Sequence, residues 1–282
     1  MLLAVRFLFL VCIVLAATVA VRAQGIYVED LEKPVPGFGG RTYLDLARQI
    51  VPDLKPEGQE LAGGQPVAAR RIATEPRDLP AQVRMRSVKA VPFTVAGKPR
   101  LLLLLANEPD YYATTGWYAA LALFDPAGGA QPIDMVDVTF GVSSEFHGRE
   151  LLDLGGGVTA VFTSSVKQHH WDARTTALLF VRDDRLFFVD TLEILTAMPC
   201  SHMFWQTIDF DSVVAGGPVR SIRATIYEGS IASNAYYCDG DWPPENGSRD
   251  VSARYDWDSA ANRFVRDSDV LARLQEDTFA KY

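Results

Sequence analysis

Residues 87–107 read SVKAVPFTVAGKPRLLLLLAN, and the fold class turns on them. Ser87 to Val95 and Arg100 to Asn107 are runs of β-forming residues on either side of Gly97, a turn signal. Leu101 to Leu105 is apolar at every position, so a strand there is covered on both faces. The run is far too short to cross a bilayer, which takes about 20 residues.

The same texture continues outward. Trp117 to Asp125 and Ile133 to Thr139 complete a first group of strands. Arg149 to Leu154, Val158 to Ser164, Thr176 to Arg182 and Leu186 to Ile194 make a second. Phe204 to Phe210, Val219 to Tyr227, Ser252 to Trp257 and Arg263 to Val265 make a third. Glycine turns sit at matching points: Gly97, Gly155-Gly156-Gly157 and Gly216-Gly217. Second strands start near Leu101, Val158 and Val219, a period of about 60 residues. The expected fold is therefore all-β, with three repeated four-stranded antiparallel meanders. Three units fall short of the usual four to eight propeller blades. This favours an open propeller-like stack or a β-sandwich over a closed ring. In the third group Ala253, Tyr255 and Trp257 alternate with Ser252, Arg254, Asp256 and Asp258, which predicts one wet face at the end of the stack. Ser268 to Asp277 reads as a closing helix with Val270, Leu271 and Leu274 inward.

Residues 24–82 form a proline- and glycine-rich N-terminal extension with one short helix, and residues 83–282 form the repeat domain. Thr42 caps that helix, with Asp45 three residues on. Tyr43, Leu44, Leu46, Ala47 and Ile50 give its apolar face and Pro52 stops it. Gly58 to Pro66 reads as loop, and the extension is too poor in apolar residues to hold much core of its own.

Residues 1–23 read as a cleavable signal peptide. A short basic start precedes the apolar run Phe7 to Ala20, and Val21-Arg22-Ala23 sets small residues before Gln24, the expected mature N-terminus. The mature chain is thus expected in a periplasm or secreted, with no membrane span. Loss of Arg6 and Arg22 leaves 25 basic against 35 acidic residues, a net charge near −10. That argues against nucleic acid and anionic lipid as partners. Two cysteines remain, Cys200 and Cys238, and an even count in an exported chain predicts a disulfide. Such a bridge stabilises by about 3–4 kcal/mol on the chain-entropy account.

In a four-stranded meander the loop between strands two and three shares an end with the link to the next unit. That end collects the unusual residues. Its loops hold Tyr111, Tyr112 and Trp117, then His169, His170 and Trp171, then Tyr236, Tyr237 and Trp242. The links hold Glu145-Phe146-His147 and Pro199-Cys200-Ser201-His202. The rings either pack as structural counterparts at the strand ends or form a recognition surface for an envelope glycan, peptide or protein. His147, His169, His170 and His202 would alternatively hold zinc or copper, in a metal-dependent hydrolase or oxidoreductase. No HExxH, paired CxxC, GxSxG elbow or phosphate-cradling glycine loop supports catalysis. The expected function is an exported binding or interaction module, inhibitor- or immunity-like, without catalysis.

Overall fold

The computed structural model describes residues 24–72, 78–107, 117–167, 172–198, 202–232 and 247–281. The chain is mostly β, with 60% strand and 9% helix. It opens with β1 (Gln24–Tyr27), and Thr42 then caps α1 (Tyr43–Ala47). The Thr42 hydroxyl accepts from the Asp45 N–H at 3.1 Å, and the Asp45 carboxylate accepts from the Thr42 N–H at 2.9 Å. This reciprocal pair satisfies two otherwise orphaned donors, as the sequence predicts. The helix is shorter than its apolar face, yet Ile50 stays buried in the turn beyond it.

The extension departs from expectation in two ways. Part of the expected loop 58–66 is a strand. β2 (Lys55–Glu57) turns into β3 (Glu60–Gly63), and β5 (Val83–Met85) completes a small antiparallel sheet, after β4 (Arg70–Arg71). Strands of two to four residues are too short to show a periodic pattern, so tertiary pairing makes them. Second, the extension does carry core. Leu31, Val35, Phe38, Leu46, Ile50, Val51, Leu54 and Leu61 are buried in one cluster with the first meander. Leu46 and Ile50 belong to the apolar helix face read from the sequence, whereas Leu31, Val35, Phe38 and Leu61 are scattered among polar residues, glycines and prolines, where local composition gives little signal.

Three runs of four antiparallel strands follow. The first is β6 (Ser87–Val95), β7 (Lys98–Ala106), β8 (Ala119–Phe124) and β9 (Pro132–Asp137). The second is β10 (Ser143–Gly155), β11 (Val158–Lys167), β12 (Asp172–Arg182) and β13 (Arg185–Ala197). The third is β14 (His202–Val213), β15 (Ser221–Ala232), β16 (Gly247–Asp258) and β17 (Arg263–Arg266). The hairpin β6–β7 turns on Ala96 and Gly97, at φ of 50° and 75°, a two-residue turn matched to strand twist. The sheets are not three separate blades. β1 pairs antiparallel with β6 and β4 parallel with β9, giving six strands. The second and third meanders form one eight-stranded sheet, joined among the described residues at Thr196↔Trp205 and Ala197↔Phe204.

Alternation along the strands sorts side chains into layers. Leu101, Leu103 and Leu105 face the extension, while Leu102 and Leu104 face Val161, Ala177, Leu179 and Val181 of the second meander. Ala160, Phe162, Leu178 and Phe180 then meet Ile208, Phe210, Ile222, Ala224, Ala253 and Tyr255 of the third. The final helix, α2 (Val270–Lys281), inserts Leu271 and Leu274 into this last layer. The buried Gln206 amide pins it. The carbonyl accepts from the Leu195 N–H at 3.0 Å, and the NH₂ donates to Glu228 at 3.0 Å and to the Thr278 hydroxyl at 3.1 Å. Arg249 pairs with the same Glu228.

Candidate functional site

The antiparallel order puts the links β7–β8, β9–β10, β11–β12, β13–β14 and β15–β16 at one end of the strands. Of the residues expected there, Tyr111, Tyr112, His169, His170, Trp171, Tyr236, Tyr237, Trp242, Cys200 and Cys238 lie outside the described residues. Trp117 is described and half-buried just before β8, where the Asn107 N–H donates to the Tyr118 carbonyl at 2.7 Å.

The histidines correct one expectation. His147 is not in a link but within β10, and its Nε2 lies 3.2 Å from the Ile208 carbonyl. Its ring meets Phe210 edge-on, with centroids 5.6 Å apart. His202 starts β14, six residues before Ile208. At about 3.3 Å per strand residue, the two histidines are on the order of 20 Å apart. Among the described residues no three His, Cys, Asp or Glu side chains gather as a ligand set.

A bulge moves His147. The β10–β11 register jumps from Phe146↔Thr163 to Leu151↔Val161, so His147, Gly148, Arg149 and Glu150 stand opposite Phe162 alone. Bulges bend a strand and re-aim its side chains. Here they reach β14: Arg149 donates to the Phe210 carbonyl at 2.7 Å and pairs with Asp211 at 3.0 Å. Burial beside Phe210 pushes the His147 imidazole below its ordinary range, only partly offset by the Ile208 carbonyl and nearby acids.

On the other side of the bulge lies a groove of about 1140 Å³. Pro36, Phe38, Pro92 and Phe93 form its apolar wall, and Arg149 and Glu150 its polar wall. Past Ala90, β6 has no strand partner on this side among the described residues. Its open edge carries Pro92, whose missing N–H faces outward given the hairpin register, which discourages strand addition.

A second surface is built more sharply. On β14, buried Phe204, Gln206, Ile208 and Phe210 alternate with Met203, Trp205, Thr207, Asp209 and Asp211 on the outer face. The register sets these in transverse rows: Met203 with Ile231, Trp205 with Gly229 and Ser248, then Thr207 with Tyr227 and Asp250. Asp209, Thr225 and Ser252 form the next row, and Asp211, Arg223 and Arg254 the last. The Trp205 indole lies against Gly229. A Cβ there would fall well inside van der Waals contact of Cε2 and Cζ2, so only glycine leaves the ring room to lie on the backbone. Tyr227 is 45% exposed and Ile231 52% exposed.

The two halves of this face differ electrostatically. Below, Asp211 pairs with Arg149 and Arg223, and Arg254 grips Asp256 at 2.8 and 2.9 Å. Above, the side chains of Thr207, Asp209, Tyr227 and Asp250 have no hydrogen-bond or salt-bridge partner among the described residues. Sequence reading overlooked Trp205, Tyr227 and Gly229. The available signal was a tryptophan at an outward strand position, with a lone glycine in the neighbouring strand.

The fold is mostly β, and its third run of strands carries half-buried Trp205 and exposed Tyr227 on the outer face. The chain matches no protein family, no curated protein and no solved structure.

Proposed function

We propose that this protein is an exported binding module without catalysis, built as an open propeller-like stack of three repeated meander units. Its recognition surface is the outer face of the third unit, running up to the end that bears Tyr236, Tyr237 and Trp242. The observation that carries the reading is Trp205, seated on Gly229, with polar side chains in the adjoining rows that have no hydrogen-bond or salt-bridge partner among the described residues. Rigid strands hold such a ring without the entropy cost of ordering a loop. The ligand is an envelope glycan, peptide or protein. Export rests on the apolar run and small-residue site before Gln24.

Two measurements test this. The exported protein should begin at Gln24 by N-terminal sequencing, with Cys200 and Cys238 resistant to thiol labelling until reduced. The double variant Trp205→Ala, Tyr227→Ala should fold as wild type yet lose retention of its ligand from an envelope fraction. Equal retention by both proteins refutes the assigned surface.

A further inference from the structure

We infer that the Trp205 face binds a neutral glycan chain through the flat faces of its pyranose rings. This rests on the binding-module reading and names the ligand of that surface.

The half-buried Trp205 indole lies so close over Gly229 that a Cβ there would collide with Cε2 and Cζ2, which fixes the ring's place over β15. A sugar ring presents a face of slightly positive C–H groups, and an aromatic face is negative, so the two stack. Around the ring stand groups for the sugar's other chemistry. Thr207, Asp209, Tyr227 and Asp250 sit in the next two rows with their hydrogen-bonding atoms unclaimed among the described residues. Carboxylates accept from sugar hydroxyls in short, charge-assisted bonds. Successive rows on one strand face are about 6.5–7 Å apart, the scale of one sugar ring. Trp205 and Tyr227 in adjacent rows therefore address neighbouring rings of a chain.

Charge selects among glycans. The arginines of this face, Arg223 and Arg254, are already paired with Asp211 and Asp256 in the lower half. Asp209 and Asp250 beside the rings have no such partner among the described residues. The field at the platform is negative and opposes an anionic polymer. A peptide strand is a poorer occupant, because β15 is flanked by β14 and β16 and shows no free edge. A protein is a poorer occupant too. The apolar part consists of Met203, Trp205, Tyr227 and Ile231, while standard interfaces take about 20–30 residues a side.

The test is a titration of the ¹⁵N-labelled mature chain with cellohexaose, maltohexaose, mannohexaose and chitohexaose, with hexagalacturonate as the anionic probe. The Trp205 indole N–H signal is identified as the one missing in Trp205→Phe. At least one neutral hexaose should shift it at about 1 mM, the weak end of specific binding. Hexagalacturonate should bind at least about tenfold more weakly than that hexaose, and Asp250→Asn should narrow the gap. Trp205→Ala and, independently, Gly229→Ala should each weaken binding about tenfold or more. If no neutral hexaose moves the signal, or hexagalacturonate moves it best, the glycan inference is overturned. Should the double variant still lose an envelope ligand in that case, the binding reading survives alone. If both experiments are blank, both fall.

Discussion

The first and third meanders are built from the same four-stranded pattern and put to opposite uses. In β7, Leu101 to Leu105 are buried to within 3% of full coverage, because the extension lies on one face and the second meander on the other. In β14 and β15 the inner face is buried, and the outer one carries the half-buried Trp205 and Asp209 and the exposed Tyr227. A sheet packed on both sides has no surface left for recognition. The sheet that ends the stack keeps one, and its side chains face solvent from a rigid frame. Position in the fold, more than strand sequence, decides which run of strands keeps an outer face.

This contrast can be broken most directly in the core. Leu103→Ala should cost about 2–5 kcal/mol, since a fully buried leucine leaves a cavity in a site packed from both sides. Trp205→Ala on the outer face should cost no more than about 1 kcal/mol. Urea midpoints of the two variants would compare them, and equal losses would mean that the outer face is as covered as the inner sheet. Next in size is Gln206→Ala, which strips partners from the Leu195 N–H, Glu228 and Thr278 at once. We expect a loss of about 1–3 kcal/mol. Faster hydrogen exchange across α2 than across β7 would localise it to the third meander.

Gly229→Ala sharpens the contrast by moving one ring. The added methyl would displace the Trp205 indole, so stability should fall by about 1 kcal/mol. Near-ultraviolet circular dichroism should change while the far-ultraviolet spectrum does not. The smallest effect is expected at His147, where the second meander meets the third. Its folded-state pKa is depressed by burial, so the unfolded chain binds the extra proton first. Stability is therefore full above the ordinary value of 6.5 and falls as pH drops below it, until the folded form is protonated as well. In His147→Gln that part of the pH dependence should vanish, as urea midpoints at pH 7.5 and 5 would reveal.

Much of this was readable along the chain. β6 spans the expected Ser87–Val95, the capping box at Thr42 and Asp45 forms, and the alternation in 252–258 does leave Arg254 exposed over buried Ala253 and Tyr255. These are local signals: propensity, a cap, a period of two. The four strands of the extension were not readable, since β1 exists by pairing with β6 and β4 with β9. Nor was the bulge at 147–150, whose cause is the approach of β10 to β14. His147 and His202 looked equivalent by position in their repeats, but that bulge sends one to Ile208 while the other opens β14.

The sequence by itself determined the all-β character, most strands from β6 onward, the short capped helix and the wet face along β16. All follow from residue type and from a side-chain period of two, which operate within a few residues. Tertiary structure decided that two meanders fuse through a two-residue ladder, that the extension adds strands and core, and that Trp205 comes to rest on Gly229. Those outcomes depend on register between segments tens of residues apart. A one-residue slip would turn every outer side chain inward, and only the packing of whole layers sets that choice.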